Sequence, residues 1–218
     1  MSNSTTANNS QEIAAAADFS NLAGSLAEIA HGFYLRGWNL GTSGNFSAVL
    51  NRDPLQLAIT ASGLDKGALT VDSFLQIDES GKVLEGKGRP SAETSLHLSI
   101  VRMLGAGAVL HTHSVWSAIL SEAYGDASGF FIEGFEMLKG LEGVLTHEHK
   151  EWVPVLKNSQ DYQTLSQAVE SMLQEHPQAH GFLLRRHGLY TWGVDVAAAK
   201  RHIEIFEFLF EVMGRTHR

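Results

Sequence analysis

From Asn21 to Arg36, apolar side chains fall at Leu22, Leu26, Ile29, Ala30, Phe33 and Tyr34. A spacing of three to four places them on one helical face, and Gly37 supplies a stop. Short apolar or alternating runs follow at Phe46 to Leu50, Leu55 to Thr60 and Phe74 to Ile77, each bounded by Gly, Asp or Asn. Runs of that length between turn residues predict strands. Ser91 stands as the predicted N-cap of a helix that carries Leu96, Ile100, Met103 and Leu104 and ends near Gly105. A strand over Ala108 to His113 comes next, then a helix over Val115 to Ala123, a Gly-rich and partly acidic segment, and a strand over Trp152 to Leu156. Asp161 is predicted to cap a helix running to about Glu175, and Gly181 to Arg186 a strand. Asp195 opens a long helix with Val196, Ala199, Ile203, Phe206 and Phe210 inward.

Alternating helices and strands predict an α/β sheet covered by helices on its faces. No internal repeat is visible, and pattern alone does not order the strands. With 44% apolar and 18% charged residues, the chain has the composition to bury one substantial core, so residues 12–218 are expected to form a single domain. Residues 1–11 are rich in Ser, Thr and Asn without apolar periodicity and are expected to be a disordered tail.

Composition narrows the chemistry. The first residues lack a basic start followed by an apolar run, and nowhere do 18 apolar residues occur in succession, so a cytoplasmic protein without a membrane partner is expected. A net charge of −8 with scattered basic residues argues against nucleic acid, which needs a concentrated positive face. The absence of cysteine removes disulfides and thiolate ligands. Any transition-metal site must then come from Asp, Glu and the 11 histidines.

His111 and His113 end an apolar strand. Strand side chains alternate faces, so residues two apart project from one side and both imidazoles can reach one ion. A second pair, His147 and His149, sits in a polar segment without a strand to orient it and is expected to be a solvated loop. His187 terminates the apolar run Phe182-Leu183-Leu184 and precedes Gly188, where the backbone can turn sharply. Together with the first pair it offers three nitrogen donors and leaves a coordination position open, the pattern of a catalytic zinc site.

Gly41-Thr42-Ser43-Gly44-Asn45 and Thr60-Ala61-Ser62-Gly63 have the small residues and backbone N–H groups of anion nests, with Lys66 close behind and Ser91 at a helix start. Glu93, in the first turn of that helix, is expected to stay ionised beside the dipole. Glu136 lies between Phe135 and Met137. If those neighbours exclude water, its pKa should rise toward the working pH, as a general acid/base requires. Lys139 would share its face in a helical segment.

These motifs, with Pro90-Ser91-Ala92-Glu93, Glu136-Met137-Leu138-Lys139-Gly140 and the run Arg186 to Gly193, identify the chain as similar to the class II, zinc-dependent aldolase/adducin superfamily. That resemblance spans nearly everything after the tail. It implies a three-layer αβα fold with a central, largely antiparallel sheet, a homotetramer with active sites at subunit interfaces, and a small sugar phosphate as substrate. His111, His113 and His187 fall on the ligands of one Zn²⁺ per subunit, and Asn45, Ser62, Gly63 and Ser91 on positions near the phosphate. Glu136 falls on the acid/base of the superfamily's dehydratases, with Lys139 a further candidate to touch substrate. Glu93 matches the glutamate that aldolases use at the metal, and Ala92 departs from the second serine of the aldolase pattern. The implied reaction is loss of water from 5-methylthioribulose 1-phosphate. Aldol cleavage and pentulose-phosphate 4-epimerisation are the alternatives with related chemistry, and an adducin-like binding module is the non-catalytic one.

Overall fold

The computed structural model describes residues 18–216 in full, and before Asp18 it gives only the course of the first helix, α1 (Asn3–Leu35). The tail expected over residues 1–11 lies outside the fully described residues. Eight strands follow the predicted runs or fill gaps between them up to the last helix: β1 (Asn45–Arg52), β2 (Leu55–Thr60), β3 (Phe74–Asp78), β4 (Val83–Glu85), β5 (Ala108–Thr112), β6 (Gly129–Glu133), β7 (Lys150–Leu156) and β8 (Gly181–Leu184). A ninth, β9 (Gly188–Gly193), leads into the last helix, and the remaining helices are α2 (Thr94–Leu104), α3 (Val115–Ala123), α4 (Tyr162–Glu175) and α5 (Val196–Thr216).

All nine strands join one sheet in the order β4-β3-β2-β1-β5-β9-β8-β7-β6. Every neighbouring pair is antiparallel except β7 with β8. Because successive strand residues face opposite ways, the sheet feeds two cores. Ala108, Leu110, Leu183 and Leu189 pack toward Phe33 of α1, Leu120 of α3 and Phe206 of α5. Val109, Phe182, Leu184 and Tyr190 pack on the other face against Leu96 and Ile100 of α2 and Leu165 and Val169 of α4. Each fully buried Val, Leu, Ile or Phe side chain among them contributes roughly 1.5–3 kcal/mol relative to exposure, which offsets much of the ordering entropy. The result is the three-layer αβα arrangement with a largely antiparallel sheet.

Local differences from the predicted elements have physical causes. The strand expected over Gly181 to Arg186 stops at Leu184, because Arg186 takes a left-handed φ of 57° and turns the chain into β9. Strand β6 was hidden in the Gly-rich stretch, where only Phe130 and Ile132 face inward. Ser91 is not the cap of α2. Glu93 holds that position, and Ser91 Oγ accepts from the Glu93 N–H at 3.2 Å, starting a turn before the helix. Asp161 and Asp195 cap as expected, accepting from the N–H groups of Thr164 at 3.1 Å and Ala198 at 2.8 Å.

Glu207 of α5 is an unexpected carboxyl in the core, 1% exposed, with Thr112 Oγ1 donating to one oxygen at 3.4 Å. Among the described residues its other oxygen has no hydrogen-bond partner, and burial pushes its pKa from 4.5 up to about 7. Between those values the folded chain keeps a proton that the unfolded chain has lost, so this group's contribution to stability falls as pH rises across that window and is flat above it. A shift of this size corresponds to roughly 3 kcal/mol. Glu207→Gln is therefore expected to gain about that much on the wild type between pH 5 and pH 8 in denaturant unfolding. Parallel stability profiles would contradict it.

Candidate active site

Most of the candidate side chains gather where β5 and the β8–β9 hairpin end. His111 lies on β5, in register with Asn45 of β1 and Tyr190 of β9. His113 follows the end of the strand, where its N–H donates to Trp38 O at 2.7 Å. His187 sits in the hairpin turn created by Arg186. These positions bring His113 Nε2 to 2.8 Å and His187 Nε2 to 3.3 Å from His111 Nε2. Metal–nitrogen bonds of about 2.0–2.1 Å in a tetrahedral site require ligand nitrogens about 3.3 Å apart, so the triad can hold a metal ion with little adjustment.

The rings are fixed from behind. His111 Nδ1 donates to Leu189 O at 2.9 Å and His187 Nδ1 to Asn158 Oδ1 at 3.2 Å, which leaves each Nε2 lone pair aimed at the common point. Tyr190 stacks on His111 with centroids 3.9 Å apart. Burial pushes His111 well below the ordinary histidine range and His113 down to about 4, so both are neutral donors at pH 7.

Two glycines make room for this cluster. A Cβ on Gly188 would meet Thr112 O at 2.1 Å, and one on Gly44, at φ +80°, would meet His111 O at 2.5 Å. Gly188→Ala is expected to cost about 1–3 kcal/mol in thermal or denaturant unfolding and to weaken metal affinity, since β9 must move away from β5. Unchanged stability and metal affinity would refute that steric account.

Glu93 closes the cluster. It is 8% exposed, with Oε1 3.1 Å from His187 Nε2 and Oε2 3.8 Å from His111 Nε2. Burial alone would raise its pKa, but His111, His187 and the Asn45 amide together hold it well below the usual carboxylate range. It is an ionised acceptor, as its place at the helix start implied. Asn45 Nδ2 donates to Glu93 Oε2 at 2.6 Å. The amide is oriented in turn by His97 Nε2, which donates to Asn45 Oδ1, while Ser47 Oγ donates to His97 Nδ1 at 2.7 Å. Burial keeps His97 neutral, with its pKa lowered to about 4. Nothing in the sequence pattern marked His97, because its partners lie about fifty positions away.

The triad opens on a cleft of about 500 Å³ whose wall includes Asn45, Ser62, Gly63, Ser91, His113 and His187. Both Gly-rich loops therefore converge beside the imidazoles. Lys66, 1% exposed, ties them together: its Nζ donates to Thr42 O at 2.9 Å and Leu64 O at 3.0 Å. Arg186, from the run that carries the family likeness, also reaches the cleft, as do Asn158 and Tyr162, to which no motif pointed.

Residues 24–213 match the family described as Class II Aldolase and Adducin N-terminal domain. The chain belongs to that family. Among curated relatives, the methylthioribulose-1-phosphate dehydratase of Marinobacter nauticus is 42% identical, over 92% of this chain and 96% of its own length. That of Sorangium cellulosum is 41% identical over 89% and 92%. The solved structure of L-fuculose-1-phosphate aldolase from Thermus thermophilus superposes with a TM-score of 0.70 at 23% identity, covering 90% of this chain and 96% of that one, a likeness of fold. Among the described residues, no helix is long and apolar enough to cross a membrane.

Two candidates of this class II aldolase family chain lie away from the cleft. Glu136 and Lys139 share one face of a 3₁₀ turn (Glu136–Gly140), and neither lines the cavity. The expected rise in the Glu136 pKa does not occur. Phe135 and Met137 pack toward the core and leave the Glu136 side chain 72% exposed, where Lys139 Nζ at 2.7 Å holds the carboxyl below its ordinary value. The His147–His149 segment also differs from a solvated loop. His147 is exposed, but His149 pairs with buried Glu151 at 2.7 Å.

Proposed function

We propose that the chain is a zinc-dependent dehydratase that converts 5-methylthioribulose 1-phosphate to 2,3-diketo-5-methylthiopentyl 1-phosphate in methionine salvage, acting as a cytoplasmic homotetramer with one active-site zinc per subunit. The observation that carries it is the meeting of His111, His113 and His187 at one edge of a cleft walled by two Gly-rich loops. The 41–42% identity to dehydratases over about nine-tenths of the chain supplies the substrate.

The donor set of three imidazoles suits zinc, which when bound supplies a Lewis acid for the C2 carbonyl. The phosphate is held by Asn45, Ser62, Gly63 and Ser91, with the Lys66 ammonium in the same wall adding positive charge. Glu93 stays ionised and orients donors around the metal. Glu136 takes the C3 proton and passes it to the departing C4 hydroxyl, which leaves as water. Exposed and ionised in the isolated chain, Glu136 reaches the cleft of a neighbouring subunit, where desolvation raises its proton affinity. Lys139 travels with it as a partner for the carboxylate or substrate.

One observation favours a second reading: Glu93, not Glu136, lies at the metal cluster, as in the aldolase pattern. Incubating the purified protein with zinc and 5-methylthioribulose 1-phosphate separates the two. Formation of the diketone without aldehyde supports dehydration, and release of an aldehyde with a three-carbon ketose phosphate supports aldol cleavage instead.

A further inference from the structure

A second cluster lies at the opposite end of β8 from the His187 turn. Glu151 of β7 is 1% exposed, and its ion-pair partners among the described residues are both imidazoles. His149 Nε2 lies 2.7 Å from Oε2, and His180 Nδ1 lies 3.0 and 3.1 Å from the two oxygens. The other nitrogen of His180 is committed: Nε2 donates to Glu142 O at 2.8 Å. Glu142 is held in turn, its N–H donating to His202 Nε2 at 3.1 Å while His202 Nδ1 donates to Trp192 O at 2.7 Å.

With Nε2 donating to Glu142 O, Nδ1 in turn donates to the buried Glu151 carboxylate, and this pairing raises the His180 pKa above the ordinary histidine value. A divalent ion can displace that proton and sit between the two groups, and His149 brings a third donor to the same place. One donor atom from each of His149, Glu151 and His180 lies within 4.8 Å of the others. Donor separations near 3 Å are those required by metal–ligand bonds of about 2.0–2.1 Å in tetrahedral or octahedral geometry. A backbone carbonyl accepting from the distal nitrogen is the usual support of a metal-bound histidine. His149 and His180 keep side-chain exposures of 30% and 15%, which leaves an entry path and room for water ligands.

We propose that His149, Glu151 and His180 form a second divalent-metal site, selective for borderline ions of the zinc class over oxygen-seeking calcium or magnesium. The site fastens the segment following the Glu136–Gly140 turn, through Glu142, to the sheet edge. It is independent of the substrate assigned to the cleft.

Metal analysis of chelator-stripped protein reloaded with zinc alone, then dialysed against micromolar free zinc, tests it. Wild type is expected to retain two equivalents per chain, and His149→Ala one. His187→Ala, which impairs only the first triad, is also expected to retain one, giving a reading that does not depend on the His149 variant folding. A single equivalent in wild type, two in His149→Ala, or none in His187→Ala overturns the proposal.

Discussion

His187→Ala is expected to lower turnover of 5-methylthioribulose 1-phosphate by about 10³-fold or more, and to remove one equivalent of zinc per chain. The magnitude follows from the Lewis-acid contribution of several kcal/mol, each 1.4 kcal/mol being tenfold in rate. His187 is the informative ligand because it comes from the β8–β9 hairpin, while His111 and His113 share one strand end. Only its imidazole, fixed by Asn158 at 3.2 Å, converts a two-residue motif into a three-point site. The fold should survive, since the side chain lies at the cleft and not in either core. Circular dichroism and zinc content measured on the same sample check this. Full zinc retention with normal turnover would show that the hairpin histidine is not a ligand.

Glu136→Gln is expected to cost about 10²- to 10⁴-fold in kcat, the usual range for a positioned acid/base, with zinc content unchanged. Its exposure adds a stricter test. If Glu136 serves a neighbouring subunit, mixed tetramers of Glu136→Gln and His187→Ala chains contain sites that combine an intact triad with an intact carboxyl. Random mixing of equal amounts should restore about a quarter of the wild-type rate, since half the triads and half the partner carboxyls are intact. Mixtures as inactive as either parent would place Glu136 in its own chain's site or outside catalysis.

Much of this site was legible in the sequence because it depends on short-range geometry. Alternation along an apolar strand put His111 and His113 on one side, and a strand end followed by Gly188 marked His187. The loops at Gly41 to Asn45 and Thr60 to Gly63 were readable as small, donor-rich turns, and both reach the cleft. Less legible was whatever depends on tertiary direction. Phe135 and Met137 flank Glu136 in sequence, yet adjacent residues in a helical turn do not share a face, so their burial sends the carboxyl outward. The Ser47–His97–Asn45–Glu93 network joins two elements that only sheet formation brings together. Strand β9 escaped notice because its six residues, Gly188–Gly193, begin and end in glycine and are buried on both faces, which removes the alternation that announces a strand.

Anomalous diffraction at the zinc edge, on crystals of the metal-loaded protein, tests the central claim most directly. A peak about 2.0–2.1 Å from the Nε2 atoms of His111, His113 and His187 together, with a coordination position facing the cleft, is the predicted result. Density bound to the first two imidazoles without the third, or absent from all three at full zinc loading, would contradict it.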